Sequence, residues 1–295
     1  MSYDPSFLTW TVPLPRPAAD DGDDTGTRTG TGSSAGTPGG WVQLSYPHFT
    51  VQLDPARRLA AATAVNVDGA RLLDLPRAGL DWFLDERVPA SAQVGQDVYA
   101  RNDLDRGHLV RRRDPVWGEP AVAAAANAAT FCFTNAAPQA AVFNQSKDLW
   151  LGLEDYLLEH ADATDTRLTV LTGPVLDAGD PVYRGVQVPR AFWKVAVWAG
   201  PAGLAATAYL LDQSDLLVAL LDRERVRGTA ADAGPAATTE LGAYRTFQVP
   251  VLDVATTAGL DLGPLPAADR LGVRAAAARP AGGAIELTSV RDLVL

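Results

Sequence analysis

Apolar residues recur with two different periods along the chain, and the switches between them mark out its elements. Residues 48–53 and 59–67 read as two strands joined by a turn at Asp54-Pro55, with Asp68-Gly69 closing the pair. Residues 168–172, 192–198 and 205–211 are apolar runs of the length of buried strands, and residues 244–249 predict another. A shorter strand is expected over residues 130–134, and residues 98–104 lead into the segment that matters most below. Two stretches carry helical spacing instead. In residues 148–160, Leu149, Leu153, Tyr156 and Leu157 recur with charges between them. In residues 214–225, Leu216, Leu217 and Leu220 form a stripe behind Ser214 as N-cap. No internal repeat is present. The interleaved elements predict a mixed α+β domain with a central antiparallel sheet.

Ahead of residue 41 the periodicity breaks down. Residues 18–40 hold Asp20, Asp21, Asp23 and Asp24 followed by Thr/Gly/Ser repetition, which cannot bury a core and predicts a flexible linker. Residues 1–17 differ, with Phe7, Leu8 and Trp10 ahead of Val12-Pro13-Leu14-Pro15. Such content predicts an apolar arm that docks on the body or on a second subunit, a disordered tail being the competing reading. The body then runs over residues 41–295.

Composition narrows the class. A chain of 295 residues, 47% hydrophobic and 20% charged, reads as globular. No run is long and apolar enough for a membrane span, so no membrane partner is expected. Residues 1–10 lack a basic start and an apolar stretch, so the expected location is cytoplasmic, or exported by a signal-independent route. The single cysteine, Cys132, excludes an internal disulfide and a cysteine zinc cluster; between Phe131 and Phe133 it reads as core.

A net charge of −10 argues against holding nucleic acid by overall electrostatics, so any such partner needs a local basic patch. Residues 101–113 supply one: Arg101, Arg106, Arg111, Arg112 and Arg113 stand against only Asp103 and Asp105. The patch contains one of three histidines. His48 opens a strand and reads as a satisfied, partly buried residue, and His160 ends a helix, where a cation suits the dipole. His108 differs because it follows Asp105-Arg106-Gly107 directly. Glycine permits close backbone approach, arginine offers a planar fork for phosphate oxygens, and the aspartate can orient either neighbour. An imidazole near its ordinary pKa is the usual group for deprotonating water at neutral pH. Downstream come Thr134-Asn135, Pro138-Gln139, Asn144-Gln145 and Leu153-Glu154. Neutral oxygen donors such as these suit a hard cation like Mg²⁺.

These ordered motifs, with Thr172-Gly173-Pro174 and Phe192-Trp193-Lys194 further on, resemble the DNA/RNA non-specific endonucleases of the ββα-metal class, over roughly residues 44–262. The resemblance implies a ββα-metal active-site motif in an Mg²⁺-dependent enzyme, with Mn²⁺ able to substitute. It implies His108 as general base, Asn144 as direct metal ligand and Glu154 holding metal-bound water. Arg106 would stabilise phosphate charge in the transition state, with Asp105 and Asn135 completing the site. Arg111, Arg112 and Lys194 would extend a substrate groove for DNA and RNA, and Arg184, Arg190 and Arg113 could join them. The products would carry 5′-phosphates. A homodimer is common among such proteins, and an immunity or regulatory protein is a further partner class. Two departures stand out. The family places an arginine upstream of a Trp where this chain has Leu80 before Trp82, leaving Arg77 and Arg87 as substitutes. Asn144 and Glu154 are also ten residues apart, a longer spacing than in the family, which a helix starting near Asp148 would absorb.

The competing reading is a catalytically silent nucleic-acid-binding or regulatory protein on the same scaffold; intact Arg106, His108 and Asn144 weigh against it. A serine hydrolase lacks its Gly-x-Ser-x-Gly elbow here, and a zinc protease its His-Glu-x-x-His.

Overall fold

The computed structural model describes residues 1–18, 40–141, 158–159, 161–229, 245–271 and 284–287. Its strands are β1 (Arg16–Pro17), β2 (Val42–Tyr46), β3 (Phe49–Asp54), β4 (Leu59–Asp68), β5 (Leu104–His108), β6 (Ala136–Ala140) and β7 (Arg167–Val175). They continue with β8 (Val182–Tyr183), β9 (Val186–Gln187), β10 (Ala191–Gly200), β11 (Gly203–Asp212), β12 (Arg245–Val249), β13 (Leu260–Asp261) and β14 (Ile285–Glu286). The described helices are α1 (Gln96–Tyr99), α2 (Pro120–Ala129), α3 (Ser214–Thr229) and α4 (Val251–Ala258).

Eight strands form the central sheet in the order β14-β12-β11-β10-β7-β4-β3-β2, and its paired neighbours run antiparallel. Both faces are buried, and strand alternation sorts the side chains between them. On β3 and β10, Phe49, Val51, Leu53, Phe192 and Ala196 join one core. Trp193, Val195 and Val197 join the other. The first core takes in the β5–β6 region and the stripe Leu216, Leu217 and Leu220 of α3. The second is covered by Val251, Val254 and Ala255 of α4 and by Tyr3, Leu8 and Val12 of the N-terminal segment. That segment is further tied down by pairing of β1 with β13. Gly173 of β7 lies opposite Trp193. A Cβ there would meet the carbonyl oxygen of Ala61 at 2.5 Å and the Trp193 ring at 2.8 Å, so only glycine lets the indole lie across the strand.

The long strands fall where apolar periodicity puts them. Residues 130–134 do not form the expected strand. The chain there is still leaving α2, with Thr130, Phe131 and Cys132 N–H groups donating to the carbonyls of Ala126, Ala128 and Ala129, and it then winds into a 3₁₀ turn at Phe133–Asn135. Helix α2 itself was not foreseen: an alanine run apolar on every side shows no stripe, although Pro120 in its first turn suits a helix start. Ser214 is not the cap of α3 but its first residue, and its N–H donates to Asp212 Oδ1 at 2.8 Å. Of the helix expected over residues 148–160, only residues 158–159 are described, and both are helical. The expected linker is described only at its ends. Among the described residues no helix is long and apolar enough to cross a membrane.

Candidate active site

The motif around His108 lies on a two-stranded hairpin. β5 pairs antiparallel with β6, setting His108 opposite Ala136, Arg106 opposite Pro138 and Asp105 opposite Gln139. Alternation then puts Arg106 and His108 on one face and Asp105 and Gly107 on the other. Gln139, only 2% exposed, crosses Gly107 so closely that a Cβ would come within 2.0 Å of its Cδ and Oε1. The glycine of the motif is therefore a packing requirement. By the same register Asp105 stands on the Gln139 side of the hairpin, and the expected direct orientation of His108 by Asp105 does not fit this arrangement.

Asn135 fixes the strand end that carries His108. Its backbone carbonyl accepts from Leu109 N–H at 2.9 Å and its Oδ1 from Val110 N–H at 2.9 Å. Its Nδ2 donates to the carbonyls of Val110 at 2.9 Å and Thr130 at 3.0 Å. With its carboxamide engaged on both atoms and the residue fully buried, Asn135 shapes the site and does not face a substrate.

The His108 ring packs against two aromatics, Trp82 at 4.8 Å between centroids and Phe131 at 5.1 Å, edge to face. Nε2 is buried with no hydrogen-bond partner among the described residues. Burial of the ring, reinforced by the positive charges of Arg77, Arg112 and Arg106, pushes its pKa down to about 3. The imidazole is thus neutral at physiological pH.

The three arginines are held differently. Arg106 donates to Gln96 Oε1 at 3.0 Å and lies over Trp82, 5.5 Å from the ring centroid. Arg112 points inward, donating to the Leu75 carbonyl at 2.7 Å and Asn127 Oδ1 at 3.4 Å. Arg77 lies over Phe131 at 5.6 Å, and no hydrogen bond or ion pair engages its guanidinium among the described residues. Arg87 is elsewhere, bound to Asp85 and the Ser45 carbonyl over the Tyr46 ring. Of the two candidates for the missing upstream arginine, Arg77 is the one beside His108.

Other expected site residues are not brought to this place. Lys194, 1% exposed on β10, is sheet core and not part of an open groove. Arg111 is buried too, at 9% exposure, so the basic run is not a continuous phosphate-binding surface. Arg184 donates to the carbonyls of Asp97 and Ala100, and Arg190 to that of Gly179. His48 stacks on Trp117 at 3.6 Å with Nδ1 2.8 Å from the Pro115 carbonyl oxygen, a structural histidine. Asn144, Glu154 and His160 lie outside the described residues. Among the described residues no three His, Cys, Asp or Glu side chains gather to hold a metal ion. Sequence reasoning named Trp82 only as the residue after the missing arginine, and it missed Phe131 as a wall of the site and Asn127 as a partner of Arg112, which no local pattern marks.

The large antiparallel sheet with its flanking helices and the adjoining Asp-Arg-Gly-His hairpin make up an α+β fold of the ββα-metal nuclease type. The chain belongs to the DNA/RNA non-specific endonuclease family, whose model matches residues 28–269. It is 40% identical over 227 residues to the uncharacterised protein y4fB of Sinorhizobium fredii (strain NBRC 101917 / NGR234), a match covering 74% of this chain. The matched region spans 33% of that relative's length. The fold is also similar to a chain in the crystal structure of the EndoG/EndoGI complex, with a TM-score of 0.54, 20% identity, and coverage of 74% of this chain and 84% of the other.

Proposed function

We propose that this chain is a Mg²⁺-dependent endonuclease that hydrolyses phosphodiester bonds in DNA and RNA without sequence preference, leaving 5′-phosphate ends. The observation that carries the reading is the state of His108: neutral, with Nε2 buried and without a hydrogen-bond partner among the described residues, under the charges of Arg77, Arg112 and Arg106. A phosphate diester seated against Arg77 and Arg106 would offset their charge and make the imidazole a stronger base as the substrate arrives. His108 would then take a proton from the attacking water, through Nδ1, since Nε2 is buried. Arg106 would stabilise the charge that builds on the phosphate oxygens. Arg77 would supply the second cation, in place of the arginine that Leu80 replaces.

The described surroundings of His108 have the donor chemistry of a phosphate subsite, and guanidiniums repel a cation. A hard ion therefore needs oxygen donors from outside this ring, and Asn144, with Glu154 behind it, would hold it. When bound, it would polarise the phosphate and stabilise the leaving 3′ oxygen. Guanidinium contacts to phosphate carry no base information, which supports cutting without sequence preference. A homodimer, and an inhibitor of the immunity or regulatory type, remain proposals for its partners.

The test is incubation of purified protein with plasmid DNA and with structured RNA. Degradation of both with Mg²⁺, arrest by EDTA and loss of cutting in His108→Ala are expected. Equal degradation by wild type and His108→Ala would overturn the reading.

A further inference from the structure

Arg77 sits on an irregular segment that runs past α2 and the 111–117 loop. The N–H of Leu73 donates to the Val116 carbonyl, and the N–H of Leu80 closes a turn on the carbonyl of Arg77 itself. Between those points, two carbonyls accept hydrogen bonds from side chains of the body. Leu75 O accepts from Arg112 Nη1 at 2.7 Å, and Pro76 O accepts from Asn127 Nδ2 at 3.2 Å. Arg112 and Asn127 also meet, Nη1 to Oδ1 at 3.4 Å. The next residue along is Arg77, with its guanidinium over Phe131, and Phe131 stands edge-on to His108.

We infer that Arg112 and Asn127 are positioning residues: their side chains grip the two carbonyls ahead of Arg77 and so seat its guanidinium beside His108. The inference rests on the proposed nuclease reading and deepens it. The basic run at residues 111–113 looks like a phosphate-binding surface, yet the guanidinium of Arg112 is turned inward to the Leu75 carbonyl and Asn127 Oδ1. Its situation is on balance unfavourable for a cation: burial and the nearby charges of Arg113, Arg77 and Arg111 outweigh the favourable Asp74 carboxylate. A positioning role accounts for a guanidinium kept there: its single terminal nitrogen Nη1 reaches the Leu75 carbonyl and the Asn127 carboxamide oxygen together. Asn127, on α2 and 4% exposed, anchors the same segment to a rigid element.

The experiment is a double-mutant cycle on kcat/KM for a defined oligonucleotide, using wild type, Arg77→Ala, Asn127→Ala and the double variant. Loss of Arg77 should lower kcat/KM by about 100-fold. Loss of Asn127, by letting Arg77 drift, should lower it by roughly 10-fold. The double variant should be no worse than Arg77→Ala alone. Additive losses would overturn the inference. Arg112→Lys, which keeps a cationic nitrogen with N–H donors, should retain more activity than Arg112→Ala; equal activity counts against it.

A second readout does not need turnover. In an NMR titration of the His108 ring, Arg77→Ala and Asn127→Ala should both move its pKa upward, because each removes or displaces a cation among Arg77, Arg106 and Arg112. A folded Asn127→Ala whose His108 titrates as in wild type overturns the inference. Should Asn127→Ala fail to fold, Asn127→Ser, which also removes the Nδ2 donor and leaves the three cations near His108 in place, takes its place in both measurements. An inactive wild type with the titration shifts present would sink the nuclease reading and leave the positioning role standing.

Discussion

Asn135 and Val110 exchange two hydrogen bonds, the Val110 N–H donating to Asn135 Oδ1 and Asn135 Nδ2 donating back to the Val110 carbonyl, both at 2.9 Å. A side chain thereby imitates a strand partner just past the end of β5, where the ladder with β6 stops. Its Nδ2 also reaches Thr130, so the His108 strand end is fastened to the turn that carries Phe131. Replacing Asn135 with Ala leaves the Val110 N–H and carbonyl and the Thr130 carbonyl without these partners. With each buried orphan costing about 1–3 kcal/mol, Asn135→Ala should lose at least ~2 kcal/mol in urea unfolding. Asn135→Asp, which keeps the acceptor and loses the donor, should fall between it and wild type.

Gly107→Ala tests the packing reason for the motif's glycine. The new methyl would overlap Gln139, which is buried and cannot swing aside freely. A destabilisation of ~1–3 kcal/mol is expected, with His108 displaced and cutting reduced. Gly107→Ala combined with Gln139→Ala should recover much of the stability lost in the single variant. No recovery in thermal melts of the pair would place the strain elsewhere.

Acid should act on stability through His108. Its folded pKa lies near 3, below the ordinary value of 6.5, so the unfolded chain binds the extra proton over that range. Stability from this group is therefore present above the unfolded pKa and lost as pH falls from the ordinary histidine value toward about 3. His48, whose pKa burial also lowers, acts in the same direction. Chemical denaturation at pH 7 and pH 5 should show a smaller loss in His108→Asn than in wild type; an equal loss contradicts the folded-state pKa. For activity, kcat/KM should not fall as pH drops through the ordinary histidine value.

Arg77 and Arg87 should separate cleanly. Arg87 is bound to Asp85, whose carboxyl is nearly buried and, by its bonds from Arg87 and Tyr46, held down to about 2. Arg87→Ala should cost ~1–2 kcal/mol of stability, as a hydrogen bond to a charged group does, and leave kcat near wild type. Arg77→Ala should do the reverse, sparing the melting temperature and lowering the cutting rate. Parallel melts and initial rates on plasmid decide between them.

The N-terminal segment belongs to the core energetically. Leu8, 3% exposed beneath the sheet with Tyr3 and Val12, should cost about 2–5 kcal/mol when truncated to Ala. Urea unfolding of Leu8→Ala checks this, and a change within error would show that the segment is dispensable.

The chain's order of apolar residues settles where its long strands lie, because a half-buried or buried strand imposes its period on any sequence that forms it. It also settles the chemistry on offer, since Asp105-Arg106-Gly107-His108 names a fork, a flexible point and a base within four adjacent positions. Residues 130–134 and the alanine helix before them were opaque for the same reason: short or uniformly apolar runs have no period to read. What each charged side chain does was decided only in three dimensions. Lys194 and Arg111 are basic on paper and buried in the fold, and Arg112 turns its charge to the Leu75 carbonyl and the Asn127 carboxamide. Arg77, separated from His108 by 31 positions, reaches its neighbourhood through Phe131. Charge, burial and partner depend on which elements pack together, and that is a property of long-range contacts that no local pattern encodes.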